Sequence, residues 1–435
     1  MNRRTFLRAG GVLGTSALVG GRNGLREVEA AGAAVAGRSP DEVAQDELYW
    51  REIQEAFTLD RTISNLNNGN SCPSPRVVHE AFKRYADIVN QAPVYYRGLI
   101  ERNMETVRRK LAAEFGCDVE EIAITRNASE SLQIAQDGLD LKPGDEVLTT
   151  HQDYPRMLTT WDQRQRRDQI KVTRVQFAVP AKLDDLYNTL ERAITPQTKV
   201  LHICHVTNIT GQLFPVQRLC RMARQRGITS IVDCAHSVAH FPFQLRDLEC
   251  DFAGTSLHKW LLAPHGTGLL YVRRDRIKDA WPLQAAAATQ NDNVRKFEQI
   301  GTASVAPKAA IAEALAFHQA IGIENKAARL RYLTTRWTSQ LKDVPRIQIH
   351  SSLEPGMYWG LGYVGIDGIE ARALNDFLWN KYRIIGQAMT GGAYPAQQFD
   401  YRGTRISPNV YTTLDEIDTF VAAMKDAAKN GVGTA

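Results

Sequence analysis

Residues 228–272 read ITSIVDCAHSVAHFPFQLRDLECDFAGTSLHKWLLAPHGTGLLYV. The stretch opens on a short apolar run rich in β-branched residues, 228–232, which predicts a buried strand. Asp233 ends that run, and His236 follows three residues later. A second predicted strand, 251–255, leads into Ser256, His258 and Lys259. A third apolar run, 268–272, comes after a Gly/Pro turn. One strand end therefore carries an acid, and the next carries a Ser/His/Lys trio.

The same alternation continues upstream. Residues 122–125, 146–149, 171–177 and 199–206 predict strands, and 76–90, 98–116 and 183–194 predict helices. Residues 93–97 (PVYYR) read as a break between the first two helices. Apolar strand runs alternating with helices predict a mainly parallel sheet covered by helices on both faces. Ligands in such sheets sit at the carboxyl ends of the strands. Residues 41–58 predict an acidic amphipathic helix, and 309–321 a long Ala-rich one. From Lys326 onward the pattern shortens, with strands expected at 346–350, 360–366, 383–386 and 403–406. That change predicts a separate α+β domain, and 435 residues favour two cores over one. The predicted large domain is 63–300, and the small domain combines 41–62 with 301–435.

Apolar content of 43% and charged content of 23% are those of an ordinary globular chain. The net charge is +5, of which residues 1–36 hold +3. The remainder gives no basis for nucleic-acid binding. The six cysteines are Cys72, Cys117, Cys204, Cys220, Cys234 and Cys250. They form no C-x-x-C pair or Cys/His group suggesting a metal, and Cys204, Cys234 and Cys250 read as small buried side chains.

A lysine, a carboxylate and a set of phosphate donors are what pyridoxal 5′-phosphate (PLP) requires. Lys259 would form the Schiff base and Asp233 would face the ring nitrogen, where carboxylate and pyridinium favour each other's charged forms. Ser256 and His258 would meet the phosphate. The D-x-x-H…T-S-x-H-K-W pattern resembles the class V aminotransferase group of fold-type I PLP enzymes. That group includes cysteine desulfurases, kynureninase and isopenicillin N epimerase, and the last branch is the nearest in pattern. The resemblance runs from about residue 65 to 417. It implies an α/β fold-type I transferase architecture, an amino acid or amine substrate, and a homodimer with active sites at the subunit interface.

The resemblance also implies individual roles. His236 belongs to the cofactor-binding motif. Ala128 and Ser129 would hold the phosphate where a strand turns into a helix, a place of free N–H groups and positive dipole. Asn127 there also reads as an N-cap with Glu130 three residues on. Gln152 falls where relatives carry the ring that stacks on PLP, usually a histidine; Tyr154, or His151 with a one-residue shift, could supply a ring instead. Asn208, in T-N-I-T-G, resembles the N-x-x-G turn whose asparagine reaches the PLP 3′ oxygen. Thr302, after Gly301, resembles the threonine that reaches the partner subunit's cofactor phosphate. Arg405 opens R-I-S-P-N-V-Y, similar to the family's R-x-S-x-x-x-Y, and would grip the substrate carboxylate as a bidentate fork. Asn68, in L-N-N-G-N, resembles the loop bordering the substrate.

Cα chemistry on PLP leads to epimerisation, transamination or β-elimination, and the sequence leaves these open. A catalytically idle binding protein is the rival from another class. Cysteine desulfuration is set aside, because it needs a cysteine on a small-domain loop and none follows Cys250. Finally, Arg3-Arg4-Thr5-Phe6-Leu7-Arg8 resembles a twin-arginine export motif, followed by a weakly apolar stretch, 9–21, too short to span a membrane. Residues 1–36 are therefore expected to be a signal rather than fold, with cleavage candidates at 31–33 and 34–36. Such a signal implies export of the folded protein through the twin-arginine machinery to a bacterial periplasm or beyond.

Overall fold

The computed structural model describes residues 24–389 and 402–433. The twin-arginine motif and the apolar stretch after it lie outside these residues.

After a short strand Ser64–Asn65 (β1), the larger sheet is built from Ile122–Thr125 (β2), Glu146–Thr150 (β3), Lys171–Val175 (β4), Thr198–Cys204 (β5), Thr229–Asp233 (β6), Phe252–Ser256 (β7) and Gly268–Val272 (β8). Their order is β2-β8-β7-β6-β5-β3-β4. All run parallel except β8, which pairs antiparallel with both neighbours. Side chains alternate between the two faces, as a pleated strand requires. Ile231, Val200, Phe252 and Leu270 join one apolar cluster, while Val232, Leu201, Ala253 and Leu269 join the other. Helices cover both clusters, so the central strands are apolar on both sides, which is why β6 to β8 read as continuous apolar runs, while the edge strand β4 is only half-buried.

The second sheet has order β12-β13-β10-β9 and is antiparallel, from Ile347–Ile349 (β9), Gly362–Ile366 (β10), Gln387–Met389 (β12) and Gly403–Ile406 (β13). Helices Ile323–Leu341, Ala371–Tyr382 and Leu414–Asn430 bury its apolar face around Trp337, Leu374 and Phe420. The single strand expected at 383–386 divides in two. Ile384–Ile385 (β11) pairs with β1, and β12 joins the second sheet. Gly386 sits between them, where an added Cβ would collide with the Thr404 hydroxyl.

Three expectations are corrected near the N-terminus. The helix at 41–58 is two helices, Pro40–Ala44 and Glu47–Glu55, because Asp46 caps the second by accepting from the N–H groups of Leu48 and Tyr49. The break at 93–97 is helical: Pro93–Phe115 begins on its proline, a residue suited to the first helical turn. Residues 25–36, expected outside the fold, pack on it. Helix Leu25–Ala34 places Val28 in a cluster with Val35, Trp50, Phe317 and Ile321. Gly32 lies so close to the Ala320 carbonyl that a side chain there would collide with it.

Candidate active site

The carboxyl ends of β5, β6 and β7 open into a cavity of about 620 Å³. Asp233 is the last residue of β6 and lines it. Its Oδ1 accepts from the Ala235 N–H at 2.9 Å, and no cation among the described residues stands within ion-pair distance. Burial pushes its carboxyl up to about 6. Lys259 follows β7 on the turn and also lines the cavity. Burial pulls its amine down to about 8, against the opposing pull of Asp233, and its Nζ lies 3.4 Å from Nε2 of His236.

The start of helix Ala128–Gly138 closes one end of the cavity, with Ala128 and Ser129 in the wall. Ser256 Oγ accepts from the Ala128 N–H at 2.9 Å, which ties the end of β7 to the helix start. Asn127 caps the helix by accepting from the Glu130 N–H at 2.8 Å, while Glu130 turns back to Arg126. His258 places Nδ1 3.1 Å from the Thr267 carbonyl. A carbonyl only accepts, so Nδ1 carries the proton. The other ring nitrogen, Nε2, is thereby left as an acceptor.

Arg405, on β13, reaches the same cavity from the second sheet. It is 4% exposed. Its guanidinium donates to the Asn208 carbonyl at 2.8 Å and to Asn67 Oδ1 at 2.7 Å. Its Nε has no partner, and no carboxylate pairs with it among the described residues. Burial lowers its pKa to about 10, which still leaves it charged at neutral pH. An unneutralised buried cation is costly, and it is stabilised by an arriving anion.

Tyr154, Asn208 and His236 complete the group of expected residues that the fold gathers here. Three others are elsewhere. Gln152 is fully buried behind the wall, where the Thr210 hydroxyl donates to its Oε1 at 3.0 Å; Tyr154, two residues on and facing the cavity, is the aromatic present. Asn68 has its amide committed to the Asn65 and Ser407 carbonyls and its oxygen to the Tyr411 hydroxyl, so its neighbours Gly69 and Asn70 line the cavity instead. Thr302 is exposed and outside this chain's own cavity. Sequence reasoning missed Asn67, which orients Arg405 and also donates to Gln387 at 3.2 Å. The only signal for it was its place in the L-N-N-G-N run. It also missed Gln387 and Met389, which belong to a strand whose border it misplaced.

These residues fit PLP. Asp233 has no cation in ion-pair distance among the described residues, Asn208, which lines the cavity, has a buried Oδ1 without a partner, and Lys259 is an amine that burial makes easier to deprotonate. The comparisons agree. Residues 64–420 match the family described as Aminotransferase class-V. The chain is 28% identical over 394 residues to isopenicillin N epimerase of Streptomyces clavuligerus, covering 86% of this chain and 97% of that one. It is 30% identical over 388 residues to a probable cysteine desulfurase of Halobacterium salinarum, covering 83% and 91%. A solved structure of a C-DES mutant, with glycine covalently linked to its PLP cofactor, superposes with a TM-score of 0.74 at 21% identity, covering 85% and 100%. Relatives named as desulfurases therefore stand beside those named as epimerases, and the family likeness does not support setting desulfuration aside. The mainly parallel sheet, the cavity at its strand ends and the match across 64–420 place this chain in the class V aminotransferase family, PLP-dependent enzymes of fold-type I.

Proposed function

We propose that the enzyme acts on a free α-amino acid and moves the proton at its Cα, with epimerisation or transamination as the outcome. One observation carries this reading: Lys259, Asp233 and an unneutralised Arg405 share a single cavity. When bound, PLP supplies a conjugated electron sink that lets a Cα–H bond break heterolytically. Arg405 grips the substrate carboxylate with its guanidinium already aimed by Asn67 and Asn208. Asp233, which as a carboxylate is favoured beside a ring cation, would hold the ring nitrogen in its protonated form. Lys259 Nζ carries the proton to and from Cα. Ala128, Ser129 and Ser256 would meet the phosphate, with His258 joining them in its doubly protonated form, His236 and Asn208 would flank the ring, and Tyr154 would cover it.

Desulfuration by an enzyme thiol is disfavoured by chemistry rather than by family. Cys204 lines the cavity, but its thiol donates to Asp153 at 3.1 Å. Burial and the nearby Asp153 and Asp233 push its pKa well above the usual thiol value. A thiolate is the nucleophilic form, so Cys204 is a poor sulfur acceptor. The sequence after Cys250 contains no further cysteine. Elimination without an enzyme thiol is the second reading, favoured by the relatives named as desulfurases.

The test is Cα–H exchange in D2O, followed by NMR over a panel of amino acids, together with borohydride reduction and peptide mapping. The reading expects exchange and a tag on Lys259, both lost in Lys259→Ala. A tag on another lysine removes the assignment, and sulfide release from cysteine without exchange favours the second reading. We propose further that the enzyme is a homodimer, with exposed Thr302 reaching the partner's phosphate site, and that Arg3-Arg4 directs export of the folded protein through the twin-arginine machinery. Replacing both arginines by lysine should hold the protein in the cytoplasm.

A further inference from the structure

Behind Lys259 lies a chain of buried side chains whose hydrogen bonds have defined directions. The Gly360 N–H donates to Nε2 of His240 at 2.8 Å. His240 is neutral, since burial lowers its pKa to about 3, so its proton sits on Nδ1 and is donated to the His236 carbonyl at 2.8 Å. The His240 ring stacks on Trp260 with centroids 3.7 Å apart and planes 5° from parallel. Lys326, itself buried, donates to the Trp260 carbonyl. Trp260 is thus held on its ring face and on its backbone. Its Nε1–H points at Nδ1 of His236, 3.4 Å away.

An indole nitrogen can only donate, so Nδ1 of His236 is an acceptor and carries no proton. Burial above all, with the positive charges of Lys259 and Arg405 nearby, holds the pKa of His236 well below the ordinary value. A neutral imidazole with a bare Nδ1 has its proton on Nε2. Nε2 is the nitrogen 3.4 Å from Lys259 Nζ.

We infer that Trp260 is a positioning residue: its indole N–H fixes the His236 proton on Nε2, so that Nζ of Lys259 faces a hydrogen-bond donor and is biased toward its unprotonated form. An ammonium has only donors to offer and cannot accept that hydrogen; the unprotonated nitrogen has the lone pair that can. The charged and titratable groups that bear on Lys259 among the described residues are Asp233, Cys72, Cys204, Arg405, His236 and His258. Of these, His236 is the one that lies within hydrogen-bond distance of Nζ. The inference rests on Lys259 being the cofactor lysine.

The experiment is a pH titration of the visible absorption band of the holoenzyme, whose midpoint follows protonation of Nζ. Trp260→Phe keeps the ring stacked on His240 and removes the N–H. His236 can then expose a bare Nε2 to Nζ–H, and the midpoint should rise by roughly 0.5–1 pH unit. Trp359→Phe is the matched control. Trp359 stacks on Phe241 at 3.8 Å in the next aromatic layer and leaves the Trp260–His236 bond intact, so its midpoint should equal that of wild type. Coincident spectra and midpoints for wild type and Trp260→Phe overturn the inference, as do equal shifts in both variants. If Trp260→Phe does not fold, 15N-histidine NMR of the wild-type holoenzyme decides, with His236 assigned by its loss in His236→Gln. A protonated Nε2 supports the inference; a protonated Nδ1 or an imidazolium overturns it. Borohydride mapping separates the two levels. A tag elsewhere than Lys259 removes the cofactor reading and the inference together, whereas a tag on Lys259 with unmoved midpoints removes the inference alone.

Discussion

Arg405→Ala tests the carboxylate anchor most directly. The guanidinium is buried, has no acidic partner among the described residues, and leaves Nε unused. Losing a desolvated, charge-assisted contact to a carboxylate costs about 2–4 kcal/mol of binding. That is roughly 30- to 1,000-fold in amino acid affinity or kcat/KM. The fold should tolerate the change better than usual for a buried arginine. Two acceptors, the Asn208 carbonyl and Asn67 Oδ1, lose their donor, at about 1–3 kcal/mol each if they stay dry. Against this, the variant removes a cation that burial disfavours, and the cavity admits water to the freed acceptors. PLP content, read by absorbance, should stay close to wild type. Arg405→Lys keeps the charge but loses the two-pronged geometry set by Asn67 and Asn208, so it should recover only part of the loss. The assay is a titration of the cofactor band with the best amino acid from a panel. Wild-type affinity in a fully PLP-loaded Arg405→Ala would refute the reasoning. Joint loss of PLP and activity would instead show that Arg405 serves mainly to hold Asn208.

Three further outcomes follow from the geometry. Burial raises the Asp233 carboxyl to about 6 in the PLP-free chain, above its unfolded value, so its contribution to folding is fully present below about pH 4 and fades as pH rises through 6. Ring-nitrogen pairing needs the carboxylate, so PLP affinity should weaken as pH falls below about 6, and Asp233→Asn should bind weakly with that pH dependence lost; fluorescence titration from pH 5 to 8 measures it. Tyr154→Ala should loosen PLP by roughly 3- to 10-fold, on the scale of an aromatic stacking contact, while Gln152→Ala should not act through the cavity; equal effects would restore Gln152 as the ring neighbour. A chain starting after residue 36 loses buried Val28 and Val35, about 3–6 kcal/mol of apolar burial together, which urea unfolding would register. N-terminal sequencing of exported protein should accordingly find Leu25–Ala34 retained, and a start at 37 with undiminished stability would contradict the packing.

The strands, the mainly parallel sheet and the residues at its strand ends were legible in the sequence for local reasons. A strand buried on both faces must be apolar throughout, so β5 to β8 announce themselves within a few residues. Asp233, Ser256, His258 and Lys259 sit directly on the strand ends, where short-range spacing fixes their placement. What escaped depends on contacts between distant segments. Gln152 and Tyr154 are two residues apart, and which of them faces the cavity is settled by Thr210, 58 positions from Gln152. Asn67 rather than Asn68 meets Arg405 because Asn68 is held by Ser407 and Tyr411 across the chain. Residues 25–36 look like a leader by composition, yet Val28 finds its partners near Phe317 and Ile321. The proton on His236 is set by Trp260, whose own orientation depends on Gly360 through His240. Local pattern fixes which backbone forms a strand and what stands at its end; which polar atom is paired, and which is left to meet a ligand, is decided only when remote segments close around it.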